Sequence, residues 1–391
     1  MTGAKQEGSP SSLGIAISRR TFLSNACLTL GTGALMGGAA GTLLTACSSA
    51  QSKTGSPAVT ADAGITLHNV EDARGTVKVL GWEYYQVKQE NTTAVSSHWG
   101  YLGNNEDTIT KTAQPGAFDL LTILAGYDPE LLAADRVIPT NPDLLPNWKN
   151  IDPAFRDSPT LRHNGQLYSV PFQWGYGYLE WDARHTTRPT SLADLMSPNL
   201  RQKVGLPDDP YGTMTTFAVL LGFKTPQQLT RPQFNKLISA LNAFRSQVRV
   251  FHPYGEEPAL LASGDIWIDF PAYGPSFLTA RKAGARMEIE YFGSWSYVDS
   301  LIMVRGANIV PALAFMNHCL EPSVQAAIVT EGAAFPVVDS AVSAVPPQLA
   351  YKSAAAVLEK APLEPGVPVT DAHGFVPFSE WLTAWETYKA L

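Results

Sequence analysis

Residues 168–178 read YSVPFQWGYGY and lie near the middle of the 391-residue chain. Their many aromatic side chains, interrupted by Pro171 and two glycines, are typical of an extended strand rather than a helix. Trp174, Tyr176 and Tyr178 alternate, so in a strand they share one face. This pattern has two interpretations: a half-buried strand of a sheet, or a crossing between two lobes that turns its aromatic side chains into a cleft.

Strand and helix patterns alternate on both sides of this stretch. Strands are predicted at 75–80, 98–102, 118–124, 203–209, 265–270 and 293–304. Helices are predicted at 104–112, 129–134, 214–221, 231–244, 258–262, 311–320, 323–331 and 378–390. Strands separated by helices predict an α/β fold. In the last strand, Trp295, Tyr297 and Asp299 alternate, which places two aromatic rings and a carboxylate on one face.

Length and composition indicate a globular protein with two lobes. A chain of 391 residues exceeds the usual size of a single domain. A hydrophobic content of 45% with 16% charged residues is enough to build a sizeable core. The formal net charge is −7, and because the first 47 residues are net basic, the remainder is more acidic still. An acidic body argues against nucleic acid as a partner and permits a cationic ligand.

The N-terminus has the pattern of an export signal. Arg19 and Arg20 precede a long uncharged stretch, as in a twin-arginine signal. The stretch is rich in Gly, Ala and Thr, which argues against the alternative of a retained transmembrane anchor. It ends in LTACS, which resembles a bacterial lipobox in which Cys47 is lipidated. We therefore predict a signal over 1–47 and a flexible tether over 48–74.

Seven short phrases resemble, in order, the extracellular solute-binding proteins of ABC importers, specifically the spermidine/putrescine-binding family. The phrases are GTVKVLGWE (75–83), FDLL (118–121), YSVPFQWG (168–175), SLADL (191–195), LPDD (206–209), ASGD (262–265) and YVDSL (297–301). Their order and approximate spacing cover most of the mature chain.

The resemblance implies an α/β periplasmic-binding-protein fold of type II-like topology, in which two lobes close on a ligand cleft. A hinge of crossing strands joins the lobes, with 168–176 as the first crossing and 295–301 as the second. Lobe 1 then takes 75–172 plus 298–340, and lobe 2 takes 173–297 plus 341–391.

The resemblance also implies a set of ligand-binding residues. Asp209 matches a carboxylate that receives an amino group in polyamine binders, and Asp299 matches the central amine-binding aspartate. An ammonium group removed from water needs a carboxylate and gains about 0.5–2 kcal/mol from each aromatic face. The predicted ligand-binding residues are Trp82, Glu83, Tyr85, Trp174, Asp209, Tyr273, Trp295, Tyr297 and Asp299.

Two positions depart from the family's pattern. Gly212 stands where an acidic residue is expected three positions after Asp209, and Tyr84 occupies the place of the pocket acid next to Glu83. A long polyamine needs carboxylates for both of its ends. A smaller amine and a ligand held mainly by stacking are therefore alternatives that the sequence leaves open.

Enzyme motifs are absent from the sequence. The seven histidines show no metal-binding spacing, and there is no GxSxG, P-loop or GxGxxG. Asp208 and Asp209 are adjacent, so in a strand they point to opposite faces and do not form an acid/base pair. Asp208 is interpreted as a cap of the following turn, and Asp119 as a structural strand residue.

The sequence therefore predicts a binding protein rather than an enzyme, with no metal and no cofactor. It is expected to be a monomer tethered through Cys47 in the periplasmic space or on the outer face of the cell membrane. It is expected to capture a polyamine or related amine and deliver it to an ABC permease. The alternatives are the same fold binding a different small solute or serving as a sensor, and an exported enzyme.

Overall fold

Two mixed β-sheets form the framework of the chain, and helices pack against both of them. The structure, a computed structural model, describes residues 64–391 apart from 83–84, 93, 103–106, 125–127, 275, 292–294, 332–333, 346, 348–352, 360, 362 and 364–365. The predicted signal arginines, Arg19 and Arg20, the predicted lipidation site Cys47, and the predicted ligand residue Glu83 lie outside the described residues.

The strands of the described residues are β1 (Gly75–Gly81), β2 (Val95–Tyr101), β3 (Leu120–Leu124), β4 (Val137–Ile138), β5 (Arg162–His163), β6 (Gln166–Leu167), β7 (Ser169–Tyr176), β8 (Tyr178–Asp182), β9 (Val204–Pro207), β10 (Val248–His252), β11 (Ile268–Ala272), β12 (Met287–Glu290), β13 (Ser296–Val304) and β14 (Phe335–Pro336). The first sheet has the order β14-β7-β13-β3-β1-β2, with β4 paired to β13. The second sheet has the order β10-β9-β11-β8-β12, and β5 pairs with β6 alone.

The α-helices of the described residues are α1 (Leu67–Glu71), α2 (Asp107–Lys111), α3 (Asp128–Ala133), α4 (Pro153–Arg156), α5 (Leu192–Leu195), α6 (Pro210–Leu220), α7 (Arg231–Phe244), α8 (Glu257–Ser263), α9 (Ser276–Lys282), α10 (Ile309–Cys319), α11 (Pro322–Glu331), α12 (Ala354–Leu358) and α13 (Phe378–Lys389). Within the described residues, no helix has both the length and the apolar character that a membrane span requires.

The centre of the first sheet is apolar on both faces. β1 pairs in parallel with β2 and β3. The side chains of Val77, Val79, Leu120 and Leu121 are fully buried. Parallel strands covered on both faces have such near-continuous apolar sequences, which is the pattern that predicted β3. Cys319 is buried on α10, as expected for a small apolar side chain.

The chain changes from one sheet to the other at the ends of two paired strands. β7 belongs to the first sheet and β8 to the second, with Gly177 alone between them. The chain returns between β12 and β13, and β13 pairs antiparallel with β7 from Ser296 opposite Tyr176 to Ile302 opposite Ser169. The predicted crossing strands are therefore direct neighbours, and the predicted α/β class is confirmed.

Several predicted strand boundaries differ from the structure by a few residues, those of β2 and β13 among them. β2 begins at Val95 rather than at residue 98, because it pairs with β1 from the first residue of that strand, Gly75. β13 begins at Ser296, so Trp295 precedes the strand instead of belonging to it. The backbone carbonyl of Trp295 accepts a hydrogen bond of 3.0 Å from Gly177 N–H, which places this residue where the two crossings meet.

Asp119 has the structural role that its sequence context predicted. Its carboxylate is buried and accepts hydrogen bonds of 2.8 Å from the backbone N–H of Lys78 and of 2.8 Å from that of Asn308. These bonds join β1 to the start of α10. Asp119 therefore satisfies two backbone N–H donors from separate elements of the fold.

Replacing Asp119 by Ala is expected to lower the free energy of unfolding by about 3 kcal/mol, because two backbone N–H groups lose a charged acceptor. Chemical denaturation measures this change. Asp157→Ala, which removes an exposed carboxylate paired with Arg156, is the matched control and is expected to leave stability unchanged. Equal stabilities of the two variants would contradict the structural role of Asp119.

Candidate ligand-binding site

Side chains from both sheets line one cavity of about 280 Å³. Much of its lining follows the carboxyl ends of β1, β9, β10 and β11. β13 contributes a further wall through residues at its amino-terminal end. Ligands of α/β proteins commonly bind at the carboxyl ends of parallel strands, so the cavity lies where the fold favours a site.

The structure brings seven of the predicted ligand-binding residues to this cavity. They are Trp82, Tyr85, Asp209, Tyr273, Trp295, Tyr297 and Asp299. Trp174 does not line the cavity. The sequence prediction therefore identified a spatial cluster from residues that are far apart along the chain.

Asp299 provides a buried carboxylate at the wall formed by β13. Its Oδ2 accepts a hydrogen bond from the Tyr85 hydroxyl and another of 3.3 Å from Gln173 Nε2. Gln173 is its direct partner in β7. Burial raises the pKa of Asp299 to about 6, and the two hydrogen bonds oppose that rise. The ionised form thus lacks a compensating cation among the described residues.

The Tyr297 side chain lies over Gly175, its partner on the adjacent strand β7. A Cβ atom at Gly175 would lie 2.3 Å from the Tyr297 hydroxyl and 2.5 Å from its Cζ, so no other residue fits beneath the ring. The ring also contacts Tyr273, with centroids 5.3 Å apart, and Trp295, with centroids 6.0 Å apart. The glycine in the central sequence stretch therefore makes room for an aromatic side chain of the cavity.

Trp174 faces the hydrophobic core, which corrects the expectation that the central stretch turns its tryptophan into the cleft. Its Nε1 donates a hydrogen bond of 3.0 Å to the carbonyl of Pro336, and its ring packs on Phe155 and Phe335. The reason is the alternation of β7. Because the preceding residue Gln173 turns towards Asp299, Trp174 turns to the opposite face.

Asp209 lines the cavity and also caps a helix. Its two carboxylate oxygens accept hydrogen bonds from the first backbone N–H groups of α6, at 3.0 Å from Tyr211 and 2.9 Å from Gly212. The Tyr254 hydroxyl donates a third bond of 2.5 Å to Oδ2. Burial raises the pKa of Asp209 against the effect of these bonds. Asp209 thus fixes the start of α6 as well as adding negative charge to the cavity.

The expectation that Asp208 is the cap of this turn is wrong, because Asp209 makes the capping bonds. The Asp208 carboxylate turns away and forms an ion pair with Lys389 at 2.8 Å. It also accepts a hydrogen bond of 2.7 Å from Trp385 Nε1. Both partners lie on α13, so this carboxylate attaches the C-terminal helix to the start of α6.

The side chains around position 212 explain why a glycine stands there instead of the expected acidic residue. A Cβ atom there would lie 2.3 Å from Asp209 Oδ2 and 2.3 Å from the Tyr273 hydroxyl. The acidic side chain that the resemblance leads one to expect at this position has no room. Burial and the negative charge of Asp209 raise the pKa of Tyr273 well above its usual range, so this hydroxyl stays neutral.

Tyr254 is a cavity residue that the sequence reasoning missed. Its ring makes an edge contact with Trp82, with centroids 6.1 Å apart, and another with Tyr273, with centroids 5.7 Å apart. Trp82 follows β1 of the first sheet, whereas Tyr254 follows β10 of the second. Tyr254 therefore joins the aromatic residues that the two sheets contribute.

A second group of ionisable residues, also missed, lines another part of the cavity: His252, Glu257 and Asp269. His252 Nε2 lies 2.8 Å from Asp269 Oδ1, and His252 Nδ1 lies 3.0 Å from the carbonyl of Pro253. Burial by itself lowers the pKa of His252, but the charge of Asp269 and its hydrogen bond outweigh burial and raise that pKa to about 9. His252 and Asp269 are thus an ion pair at neutral pH. The sequence contains only a weak signal for this group of residues, namely the alternation of Asp269 with Trp267 in the strand predicted over 265–270.

The charge of the cavity lining is one-sided. Among the described residues, its ionisable side chains other than tyrosine comprise four carboxylic acids and one histidine, with no lysine or arginine. The described residues also contain no group of three His, Cys, Asp or Glu side chains that could hold a metal ion. Negative charge held in a partly closed, aromatic cavity favours a cationic organic solute.

Comparisons with known proteins agree with the fold and identify the family. Residues 94–358 match the model of the family described as bacterial extracellular solute-binding protein. The chain is 24% identical over 286 residues to the putrescine-binding periplasmic protein PotF of Escherichia coli, covering 65% of this chain and 75% of that protein.

Solved structures show the same fold. A putative spermidine/putrescine ABC transporter protein from Listeria monocytogenes superposes with a TM-score of 0.68 at 19% identity, covering 80% of this chain and 98% of the other. The Tp0655 (TpPotD) lipoprotein of Treponema pallidum gives a TM-score of 0.65 at 18% identity, covering 80% of this chain and 99% of the other. The chain therefore belongs to the bacterial extracellular solute-binding proteins, a family of binding proteins rather than enzymes.

Proposed function

We propose that this protein captures a small cationic solute, a polyamine such as putrescine or spermidine or a related amine, and delivers it to an ABC permease. The observation that carries this proposal is the cavity lining, which combines four carboxylic acids with aromatic rings and, in the described residues, has no lysine or arginine. The similarity to a putrescine-binding protein supports the same class of ligand.

Asp299 is the carboxylate that receives the ammonium group in this proposal. Its burial makes the ionised form costly, as its raised pKa indicates. An ammonium group placed beside it restores the favourable interaction that the carboxylate lost with water. Tyr85 and Gln173 hold the carboxylate in position through their hydrogen bonds.

The aromatic residues enclose the carbon chain and the charge of the ligand. Trp82, Tyr273, Trp295 and Tyr297 each line the cavity, and each aromatic face can contribute about 0.5–2 kcal/mol to cation binding. Asp209 adds charge at the second sheet. Glu83 remains part of the proposed site on the basis of the sequence alone.

Lobe closure is the proposed mechanism of capture. Lobe 1, residues 75–172 plus 298–340, and lobe 2, residues 173–297 plus 341–391, rotate about the crossings between the sheets. The contact between Trp82 and Tyr254 supports this mechanism, because it joins residues that follow strands of different sheets. Export through the twin-arginine pathway and a lipid anchor at Cys47 place the monomeric protein beside its permease.

A solute other than a long polyamine is the second candidate. The observation that favours it is the crowding at Gly212, where Asp209 and Tyr273 leave no room for a second acidic side chain on α6. In this case the fold and the cavity are the same, and the ligand is a shorter amine.

Putrescine or spermidine is expected to raise the unfolding temperature of the soluble body, residues 52 onward, because the ligand binds only the folded state. Asp299→Asn keeps the shape of the side chain and removes its charge, so affinity is expected to fall at least about 30-fold. Asp157→Asn, on the surface, is the matched control and is expected to bind as the wild type does. Thermal shift followed by calorimetry measures both effects. Polyamine binding that is unchanged in Asp299→Asn would refute the role of this residue, and wild-type protein that binds no amine would refute the proposed ligand class.

Affinity for the amine is also expected to depend on pH. The pKa of Asp299 is raised to about 6, so its carboxylate is ionised above that pH and protonated below it. Protonation removes the charge that binds the ammonium group, and affinity is therefore expected to be about tenfold weaker at pH 5 than at pH 8. Calorimetry at the two pH values tests this. An affinity that is constant or rises towards pH 5 would contradict the assignment.

A further inference from the structure

Glu257 contributes a carboxylate to the cavity that neither the sequence pattern nor the resemblance assigned a role. It is the first residue of α8, and its side chain is 11% exposed. Its Oε2 accepts a hydrogen bond of 2.8 Å from the backbone N–H of Gly255. In the part of the chain that the structure describes, no lysine or arginine forms an ion pair with it, so its charge faces the cavity without a strong cationic partner.

His252 is the nearest cation, but its hydrogen bonds are directed elsewhere. Its Nε2 is bound to Asp269 and its Nδ1 to the carbonyl of Pro253. The distance from His252 Nδ1 to Glu257 Oε2 is 4.0 Å, which is beyond hydrogen-bond range. Burial and the negative charge of Asp269 raise the pKa of Glu257. A cationic group arriving in the cavity therefore has a carboxylate to neutralise at this position.

Glu257 and Asp299 belong to different parts of the fold. Asp299 lies on β13 of the first sheet, and Glu257 lies on α8, between β10 and β11 of the second sheet. Both line the same cavity, together with the apolar atoms of Pro271, Ala272 and Tyr273. The arrangement offers two separate acidic positions and an apolar surface within one cavity, which matches a molecule with two charged groups and a hydrocarbon chain.

We propose that Glu257 binds the second ammonium group of a linear diamine whose first ammonium group is bound by Asp299. This inference rests on the proposed function and makes it more specific. Position 212 on α6 has no space for a second acid, and Glu257 supplies one from α8 instead. Glu257 is then the residue that selects a diamine over a monoamine of the same length, because a monoamine leaves this carboxylate without a partner.

The test compares 1,4-diaminobutane with n-butylamine on the soluble body of the protein. Glu257→Gln is expected to weaken binding of 1,4-diaminobutane at least tenfold and to change binding of n-butylamine by less than about twofold, because only the diamine has a group at this position. Glu256→Gln is the matched control: it removes the same charge one residue earlier, at an exposed position outside the cavity lining. It is expected to change neither affinity. Calorimetry measures the affinity for the diamine, and displacement of the bound diamine by n-butylamine gives the affinity for the monoamine.

A second variant gives a readout that a purely structural role of Glu257 would not produce. Glu257→Asp keeps the charge and shortens the side chain by one methylene group. It is expected to shift the preference from 1,4-diaminobutane towards 1,5-diaminopentane, whose ammonium groups are farther apart. The ratio of the two affinities is measured on one folded sample, so it is independent of any loss of stability in the variant.

Three outcomes would overturn the inference. In the first, Glu257→Gln weakens the binding of both amines equally, and in the second it weakens the binding of neither. In the third, Glu257→Asp leaves the preference for diamine length unchanged. Each of these results leaves the proposed amine site at Asp299 in place, provided that Asp299→Asn still weakens binding of both ligands at least about 30-fold. Failure of the proposed function itself has a different signature, in which the wild-type protein binds neither amine.

Discussion

The pairing of β7 with β13 is the constraint on which the site depends. It sets Gln173 opposite Asp299, and the side-chain amide of one holds the carboxylate of the other. The same register places Tyr297 over Gly175, where only a glycine leaves room for the ring. Because neighbouring side chains of a strand point to opposite faces, it also sends Trp174 into the core. A shift of one residue in this pairing would exchange the cavity residues for core residues.

The central feature of the site is the carboxylate of Asp299, which is buried away from water. Burial raises the pKa of Asp299, and only two hydrogen bonds oppose this effect among the described contacts. At Asp269 the protein itself supplies a cation to a buried acid, through the ion pair with His252. Asp299 has no cationic partner in the described residues. In the proposed function, the ligand supplies the positive charge that this carboxylate lacks.

The sequence predicted the fold class because apolar strands and amphipathic helices alternate clearly, as in β3 and α7. It predicted seven of the residues that line the cavity, and Trp82, Asp209 and Asp299 among them lie in phrases whose order could be compared with a family. Trp174 was misplaced, because the face that a side chain occupies depends on strand register, which periodicity alone leaves open. The capping role of Asp209 was assigned to Asp208 for a similar reason, since adjacent aspartates before a helix are equivalent until the backbone is known.

Two of the residues that sequence reasoning missed, Tyr254 and Glu257, share one cause. Tyr254 and Glu257 follow β10, a strand whose alternation of buried and exposed side chains is too irregular to be recognised. Their proximity to Asp299 depends on the pairing of β10 with β9 and on the cavity that the two sheets enclose. No local pattern encodes such long-range neighbours.

The most direct test of the account is a crystal structure of the protein with 1,4-diaminobutane. The account predicts one ligand nitrogen within about 3 Å of an Asp299 carboxylate oxygen, the distance of a charge-assisted hydrogen bond. It also predicts that the methylene chain lies against Tyr273 and Tyr297. A diamine bound outside the cavity, or bound inside it with no nitrogen in contact with Asp299, would contradict the central claim.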